Sequence, residues 1–571
     1  MNKSLVILLA FNAAVIGAAA STVWDVQGRK FSVDTLSHVE IGPGTTQTTL
    51  ALDGPAKLRV FYTTTDLSNP DVGVKVIMGK DDLVSNVTVP QMPETHADPD
   101  NVYFAGVNSD FIGGMGPVGT AASNNILYKS YKGHGWYGFV VDSDKKLYTG
   151  NAYASFVFTK ADGSRAVIHA VNTPRSDNEL ILYTSKKGGS TGTNRSGVEI
   201  AAVEVDGGLK SNGATKIKIT GVPVENAGNM QIPANGFVLS ASGWTVKYLK
   251  DLKAGDIIEV VPSIRINDEI VNSPEEITGG CPMLLKGGSI LETQGELDHL
   301  KYLHPRTAAG YNADGTRLVM LVVDGRQSGV SVGVTSKDLA AIMKHTGCTE
   351  AINFDGGGSS TLYVKGLGVV NIPSEGSLRP VKNGLFVTAP VSADNKIAKI
   401  RFADFKKVLK TNEYYTPVLY GYNAKGLLVN LNVTRFLLTC DKSLGEIQPD
   451  GTTLYANGSG THLLTATCDG LTTSVVVTVG EEQGGVSSIA DDGISVYPNP
   501  VKHGEDIHIA AVGENAVVNV YNSAGILVDR QNFNGVEISE LKLTTNAYIP
   551  GFYIIRVISN LKEKTIKLII N

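Results

Sequence analysis

The sequence is poor in the residues that mark several protein classes. Four cysteines in 571 residues exclude a small scaffold held together by dense disulfides. Lys and Arg number 50 against 55 Asp and Glu, so the basic excess usual in a nucleic-acid binder is missing. Past the N-terminus no apolar run approaches the roughly 18 residues of a membrane-crossing helix, and no transmembrane segment is expected in the mature chain. Long helical periodicities are scarce. What is abundant is glycine, 63 residues without a collagen period, together with Thr and Tyr. Against a usual glycine share of about 7%, this points to a turn-rich β or α+β protein. Hydrophobic residues make up 42%, enough for real cores, so global disorder is excluded. At roughly 100–200 residues per domain, three to five domains are expected.

Residues 1–20 read as a signal peptide: Lys3, an apolar stretch over 5–16, then Gly17-Ala18-Ala19-Ala20 before the cut. An N-terminal β region is expected over 21–100 and a Gly-rich region with many strands and a few helices over 101–390. The texture changes near 391–396. Residues 397–480 alternate like an immunoglobulin-type sandwich, 481–492 form a polar linker, and 493–571 a last small β unit. The expected class is α+β: a mixed, β-rich catalytic domain with a few helices, followed by two small all-β sandwich domains. Cys440 and Cys468 fall on expected strands, and whether they pair is open; Cys281 and Cys348 are a second pair or two buried thiols. A catalytic thiol is the least favoured reading of these cysteines.

Chemistry concentrates between His304 and Lys382. The run 318–323 reads as a buried strand ending at Asp324-Gly325-Arg326. A helix follows, with Thr335 as N-cap, Asp338 three residues on, Leu339, Ile342 and Met343 on one face and Gly347 as left-handed cap. The next strand, 351–354, ends at Asp355. Two aspartates thus stand at the carboxyl ends of two strands joined by a helix, where parallel neighbours would collect ligands. Asp355 is followed by Gly356-Gly357-Gly358-Ser359-Ser360-Thr361. This composition suits an anion nest of backbone N–H groups and equally a tight structural turn. It has neither P-loop nor nucleophile-elbow spacing.

The ordered segments HPRTAAGY, VDGR, TSKDLA, GCTEAINFDGGGSSTL, VVNIPS and RPV, with upstream blocks GVNSDFI, NELILYT, TGTNRSGVE and VLSASG, resemble the phosphodiester glycosidase family over about 100–390. The resemblance implies cleavage of a sugar-1-phosphodiester, N-acetylglucosamine-1-phosphodiester-like, on the glycosidic side, giving free sugar and a phosphomonoester. A phosphate is a good leaving group, so the usual acid carboxylate is less needed; phosphate neutralisation and help for the attacking water remain. Arg306 and Arg379 match family positions as a phosphate clamp, with Arg326 placed behind them. Asp355, Asp324 and His304 are the catalytic candidates, for water activation, cation stabilisation or proton transfer. Gly356, Gly357, Gly358, Ser359, Ser360, Thr361, Asn108, Asp110, Asn353 and Asn371 are substrate-binding candidates. Each has a bland alternative as a turn, cap or packing residue. No organic cofactor is implied. No His or Cys ligand spacing occurs, so a metal stays unassigned, and any ion would be a hard divalent one on oxygen ligands.

The last unit, with YPNP (497–500), VNVYNSAG (518–525) and GFYIIRV (551–557), resembles the C-terminal sorting domain of the type IX secretion system. That implies the secretion machinery as partner and a secreted or bacterial cell-surface location. The expected function is a hydrolase acting on a phosphorylated glycan or surface polymer such as an exopolysaccharide. The alternative is an inactive surface carbohydrate-binding or adhesin protein on the same fold.

Overall fold

The computed structural model describes residues 22–480 and 495–570, apart from 97, 134, 227, 292–297, 498–500, 514–515, 523–526, 534–537, 549–550 and 560–561. The expected signal peptide and linker lie outside the described residues, as does part of the YPNP motif. The chain is β-rich with few helices, and no described helix is long and apolar enough to cross a membrane.

The strand Arg317–Val323 sets the architecture. Its sequence is an unbroken apolar run because both faces are covered. Val319, Leu321 and Val323 point one way, into a core shared with helix Ser336–His345. Leu318, Met320 and Val322 point the other way, into a core shared with Phe104, Val107, Leu385 and Val387. The first face belongs to a nine-stranded antiparallel sheet, in spatial order Thr22–Val26, Arg29–Gly42, Thr45–Asp53, Lys57–Asp66, Arg317–Val323, Arg306–Tyr311, Glu350–Asn353, Met283–Lys286 and Ser289–Ile290. Opposite it lies a five-stranded sheet containing Asn101–Asn108, Asn383–Pro390 and Gly73–Met78. A 14-stranded sheet, drawn from residues 121–280, encloses a third core.

Helix Ser336–His345 forms where the sequence places it. Thr335 Oγ1 accepts the Asp338 N–H at 3.2 Å, and Asp338 Oδ2 accepts the Thr335 N–H at 3.1 Å. Leu339, Ile342 and Met343 are fully buried, and Gly347 has φ +83°, a conformation that favours glycine. The strands it joins are not neighbours. Arg306–Tyr311 lies between them, antiparallel to both. Their carboxyl ends and the amino end of Arg306–Tyr311 therefore meet at one edge.

Residues 21–100 pair directly into the sheets of 101–390: Lys57–Asp66 with Arg317–Val323, and Gly73–Met78 with Asn383–Pro390. The sheets have no break at residue 100, and we propose that 22–390 be taken as one unit. Residues 397–480 fold around their own core in sheets of three, four and three strands. They are also tied to the N-terminal sheet: Lys399 Nζ lies 2.7 Å from Glu40, Tyr422 donates to the Glu40 carbonyl at 2.8 Å, and Leu427 packs into the core beside Val39 and Ile41. The last unit has a separate core built on Ile507, Val518, Ile555 and Leu568.

All four cysteines are free thiols. Cys440 lies opposite Leu464, four residues from Cys468 on the neighbouring strand, a separation of about 13 Å along the strand at ~3.3 Å per residue. A bridge is excluded by register. Cys348 is buried, which pushes its thiol up to about 11, the opposite of an activated nucleophile.

Candidate active site

At the shared edge of the nine-stranded sheet, His304, Arg306, Arg326, Asp355, Gly356, Gly357 and Arg379 line one cleft of about 190 Å³. Of the sequence candidates, this brings together His304, Arg306, Arg379, Asp355, Gly356 and Gly357. It adds Arg326, which sequence reasoning had ranked lower.

Asp355 follows the strand Glu350–Asn353 and is half-buried. Burial raises its carboxyl above the ordinary carboxylate range; hydrogen bonds from Ser359 and the Gly356 N–H, and the charges of Arg379 and Arg306, oppose that rise. Its Oδ1 accepts the Gly356 N–H at 2.9 Å. The residue is thus held at the cleft wall in a place where its proton affinity is enhanced, as general-base chemistry requires.

The three arginines differ. Arg306 is 2% exposed, and its guanidinium donates to the carbonyls of Val334, Leu300 and Tyr302 at 3.1, 3.1 and 2.9 Å. These bonds hold Arg306 in place through Nε and Nη2, and the residue lines the cleft. Arg326 is exposed, has φ +62° and puts Nη2 3.5 Å from His304 Nδ1. A left-handed backbone at a long side chain is strained, and it aims this guanidinium over Gly357, where a Cβ would stand 3.0 Å from Nη2. Arg379 Nη1 reaches Ser359 Oγ at 3.5 Å, while its Nε donates to Glu375 Oε2 at 3.2 Å and its Nη2 pairs with Glu375 Oε1. Glu375 was not a sequence candidate. The only signal in the sequence was its i, i+4 spacing from Arg379.

The glycine loop makes a tight turn in which most N–H groups are paired: Gly356 with Asp355, Gly357 with the Pro305 carbonyl, Ser359 with Gly356, Ser360 with Gly357 and Thr361 with Asn108 Oδ1. Glycine is required at Gly356, where a Cβ would stand 2.7 Å from the Pro305 backbone oxygen; at Gly358 a Cβ would meet the mobile end of the Glu375 side chain.

The remaining candidates do not line the cleft. Asp324 is fully buried and does not line the cleft; its Oδ1 accepts Asn371 Nδ2 at 3.1 Å and its Oδ2 accepts the Ile372 N–H at 3.1 Å. Burial pushes it up to about 6. It anchors the base of the loop that carries Glu375 and Arg379. Asn371 also accepts the Leu362 N–H and donates to the Ser360 carbonyl. Asn108, fully buried, donates to the Asp355 carbonyl at 2.7 Å and accepts from Thr307 Oγ1 at 2.9 Å. Asn353 Nδ2 donates to the Cys281 and Phe354 carbonyls. Asp110 is buried and pushed up to about 6 by burial; it accepts from the indole of Trp136 and the N–H groups of Phe111 and Gly119. Among the described residues no three His, Cys, Asp or Glu side chains gather as metal ligands.

Guanidinium groups and a carboxylate share this cleft, an arrangement suited to an anionic ligand. Residues 200–388 match the family model described as phosphodiester glycosidase, and residues 495–571 match that of the secretion system C-terminal sorting domain. The chain therefore carries a region similar to the phosphodiester glycosidase domain and a last unit similar to the secretion system C-terminal sorting domain. The first match begins inside the 14-stranded sheet, short of the residue 100 expected, and includes every cleft residue. The Bacillus subtilis (strain 168) "SPbeta prophage-derived uncharacterized protein YomE" is 43% identical over 91 residues, 16% of this chain and 14% of its own. Among solved structures, a hypothetical protein from Synechocystis is 17% identical with TM-score 0.49, covering 61% of this chain and 62% of that one. The zebrafish N-acetylglucosamine-1-phosphodiester alpha-N-acetylglucosaminidase catalytic domain is 14% identical with TM-score 0.28, covering 65% of this chain and 86% of that one. The chain thus spans about a seventh of the curated relative and under two thirds of the Synechocystis structure.

Proposed function

We propose that this protein hydrolyses a sugar-1-phosphodiester of a surface glycan or polymer, N-acetylglucosamine-1-phosphodiester-like, to free sugar and a phosphomonoester. The observation that carries the reading is the convergence of Arg326, Arg379 and the charge of Arg306 on the cleft that holds Asp355. Two accessible guanidiniums match a phosphate in charge and geometry. Asp355, with its raised proton affinity, takes a proton from the water that attacks the anomeric carbon, or stabilises the cation that forms there. His304, beside Arg326, is positioned to exchange a proton with the departing phosphate. In this reading residues 397–480 are an Ig-like spacer between the catalytic unit and the sorting domain. The test is a panel of sugar-1-phosphodiesters incubated with the full chain, reading both free sugar and phosphomonoester. Stoichiometric release of the two is expected. Sugar binding without release would leave the carbohydrate-binding alternative in its place.

A further inference from the structure

Among the described residues, Glu375 is a carboxylate fixed on a cleft arginine that the hydrolytic mechanism above does not use. It grips the Nε/Nη2 edge of Arg379 in a two-point contact and leaves the Nη1 edge turned toward Ser359 and the cleft. A glycine is kept at 358 in the space beneath it. Any phosphate held by Arg379 therefore binds next to a standing negative charge. Coulomb energy scales with the product of the charges, so that charge penalises a dianion about twice as much as a monoanion. A phosphodiester carries one negative charge. A phosphomonoester carries about 1.5 to 2 at neutral pH.

Resting on the hydrolase reading, we propose that Glu375 is a specificity-determining residue: its carboxylate makes the cleft prefer a phosphodiester substrate over the phosphomonoester that hydrolysis releases. The charged and titratable groups of the cleft beside it are Arg379 on its own loop, Arg326 next to Gly357, and Asp355, Arg306 and His304. Substrate then enters a site matched to one charge, and the second charge gained on P–O bond retention and C–O cleavage favours product departure. The same carboxylate also orients Arg379, and the experiment separates that role from the electrostatic one.

Methyl phosphate and dimethyl phosphate are titrated into the full-length protein at pH 7.5 and low salt, by calorimetry or 31P NMR. Wild type, Glu375→Gln and Glu375→Asp are compared. Glu375→Gln keeps shape and removes charge; methyl phosphate should tighten about tenfold, and dimethyl phosphate, with half the charge, only about threefold. Glu375→Asp should keep the wild-type preference. The tenfold gain should shrink in high salt, because the pair is part-exposed. Equal changes for both ligands, or loosening of both, would mean that Glu375 only orients Arg379, and the proposal would fall. Binding of neither ligand to any form would overturn both it and the hydrolase reading. Charge preference with no turnover of any diester would sink the hydrolase reading while upholding the discriminating role of Glu375.

Discussion

Asp324 and Asp355 look alike in sequence. Each ends a buried strand, each precedes a glycine, and one helix separates them. The structure gives them opposite fates. Asp355 is half-buried on the cleft wall, among arginines. Asp324 is sealed, its carboxylate closed by Asn371 and the Ile372 backbone. Both have raised proton affinity, and for both burial is the first cause. A shifted carboxyl is therefore no guide to catalysis by itself; access to a cleft is what separates them.

The sharpest way to break this comparison is to neutralise each carboxylate in turn. Asp355→Asn should lower kcat by about 10²–10⁴-fold with a melting temperature near wild type. Asp324→Ala should leave the Ile372 N–H without its acceptor and take one of two acceptors from Asn371 Nδ2, costing on the order of 1–3 kcal/mol of stability, while the folded fraction keeps turnover within about tenfold. Kinetics and thermal melts on purified variants check both, and the reverse pattern would refute the division of roles.

The arginines extend the same contrast between accessible and sealed groups. Arg379→Ala and Arg326→Ala should each lower kcat/KM for a sugar-1-phosphodiester by about 10²-fold, the usual cost of a lost charge-assisted partner. The loss should be much smaller on a neutral aryl glycoside, if the wild type turns one over, because no anion is there to bind. Arg306→Ala should instead act through folding. It leaves the carbonyls of Val334, Leu300 and Tyr302 without their donor, a loss on the order of 2–4 kcal/mol. Equal losses on both substrates for Arg379→Ala would remove its phosphate role.

Burial without a cleft has a pH signature of its own. Glu276 is 1% exposed, bridges Lys75, the Val76 N–H and the Asn124 N–H, and burial raises it to about 7. Its folded value lies above the unfolded one, so the folded state holds the extra proton between about pH 4 and 7. Its contribution is present below pH 4 and is lost as pH rises through 7. Relative to Glu276→Gln, wild type should lose on the order of 2–3 kcal/mol across that window in denaturant titrations; a difference that grows with pH would contradict the assignment.

The smallest effect on chemistry is expected farthest from the cleft. A chain ending at Gly480 keeps the Lys399–Glu40 and Leu427 contacts, and its turnover should equal wild type within about twofold, at the level of ordinary surface change. Surface attachment, scored on whole cells, should be lost. Ending the chain at Pro390 instead uncovers Leu427's seat and should lower stability. A full loss of turnover on truncation at Gly480 would place part of the active site in the last unit.

Local signals were legible wherever neighbours in sequence are neighbours in space. The Thr335–Asp338 capping box, the apolar face of Leu339, Ile342 and Met343, and the glycine at Gly347 rest on backbone geometry within a few residues. The gathering of His304, Arg306, Asp355 and Arg379 followed from the family resemblance. Long-range pairing decided the rest. Sequence could not show that Arg306–Tyr311 would insert between the two strands ending in aspartates, or that residues 22–100 would join the same sheets. Nor could it tell that Arg306 would spend its donors on carbonyls from residues 300, 302 and 334, or that Glu375 would sit over Gly358. By itself the sequence determined the β-rich class, the capped helix and the stretch that carries the chemistry, because composition, periodicity and local caps act over a few residues. Only the tertiary structure decided which of two similar aspartates meets the cleft and which arginines remain open to a ligand, because burial and hydrogen-bond partners are set by segments that meet only once the sheets close.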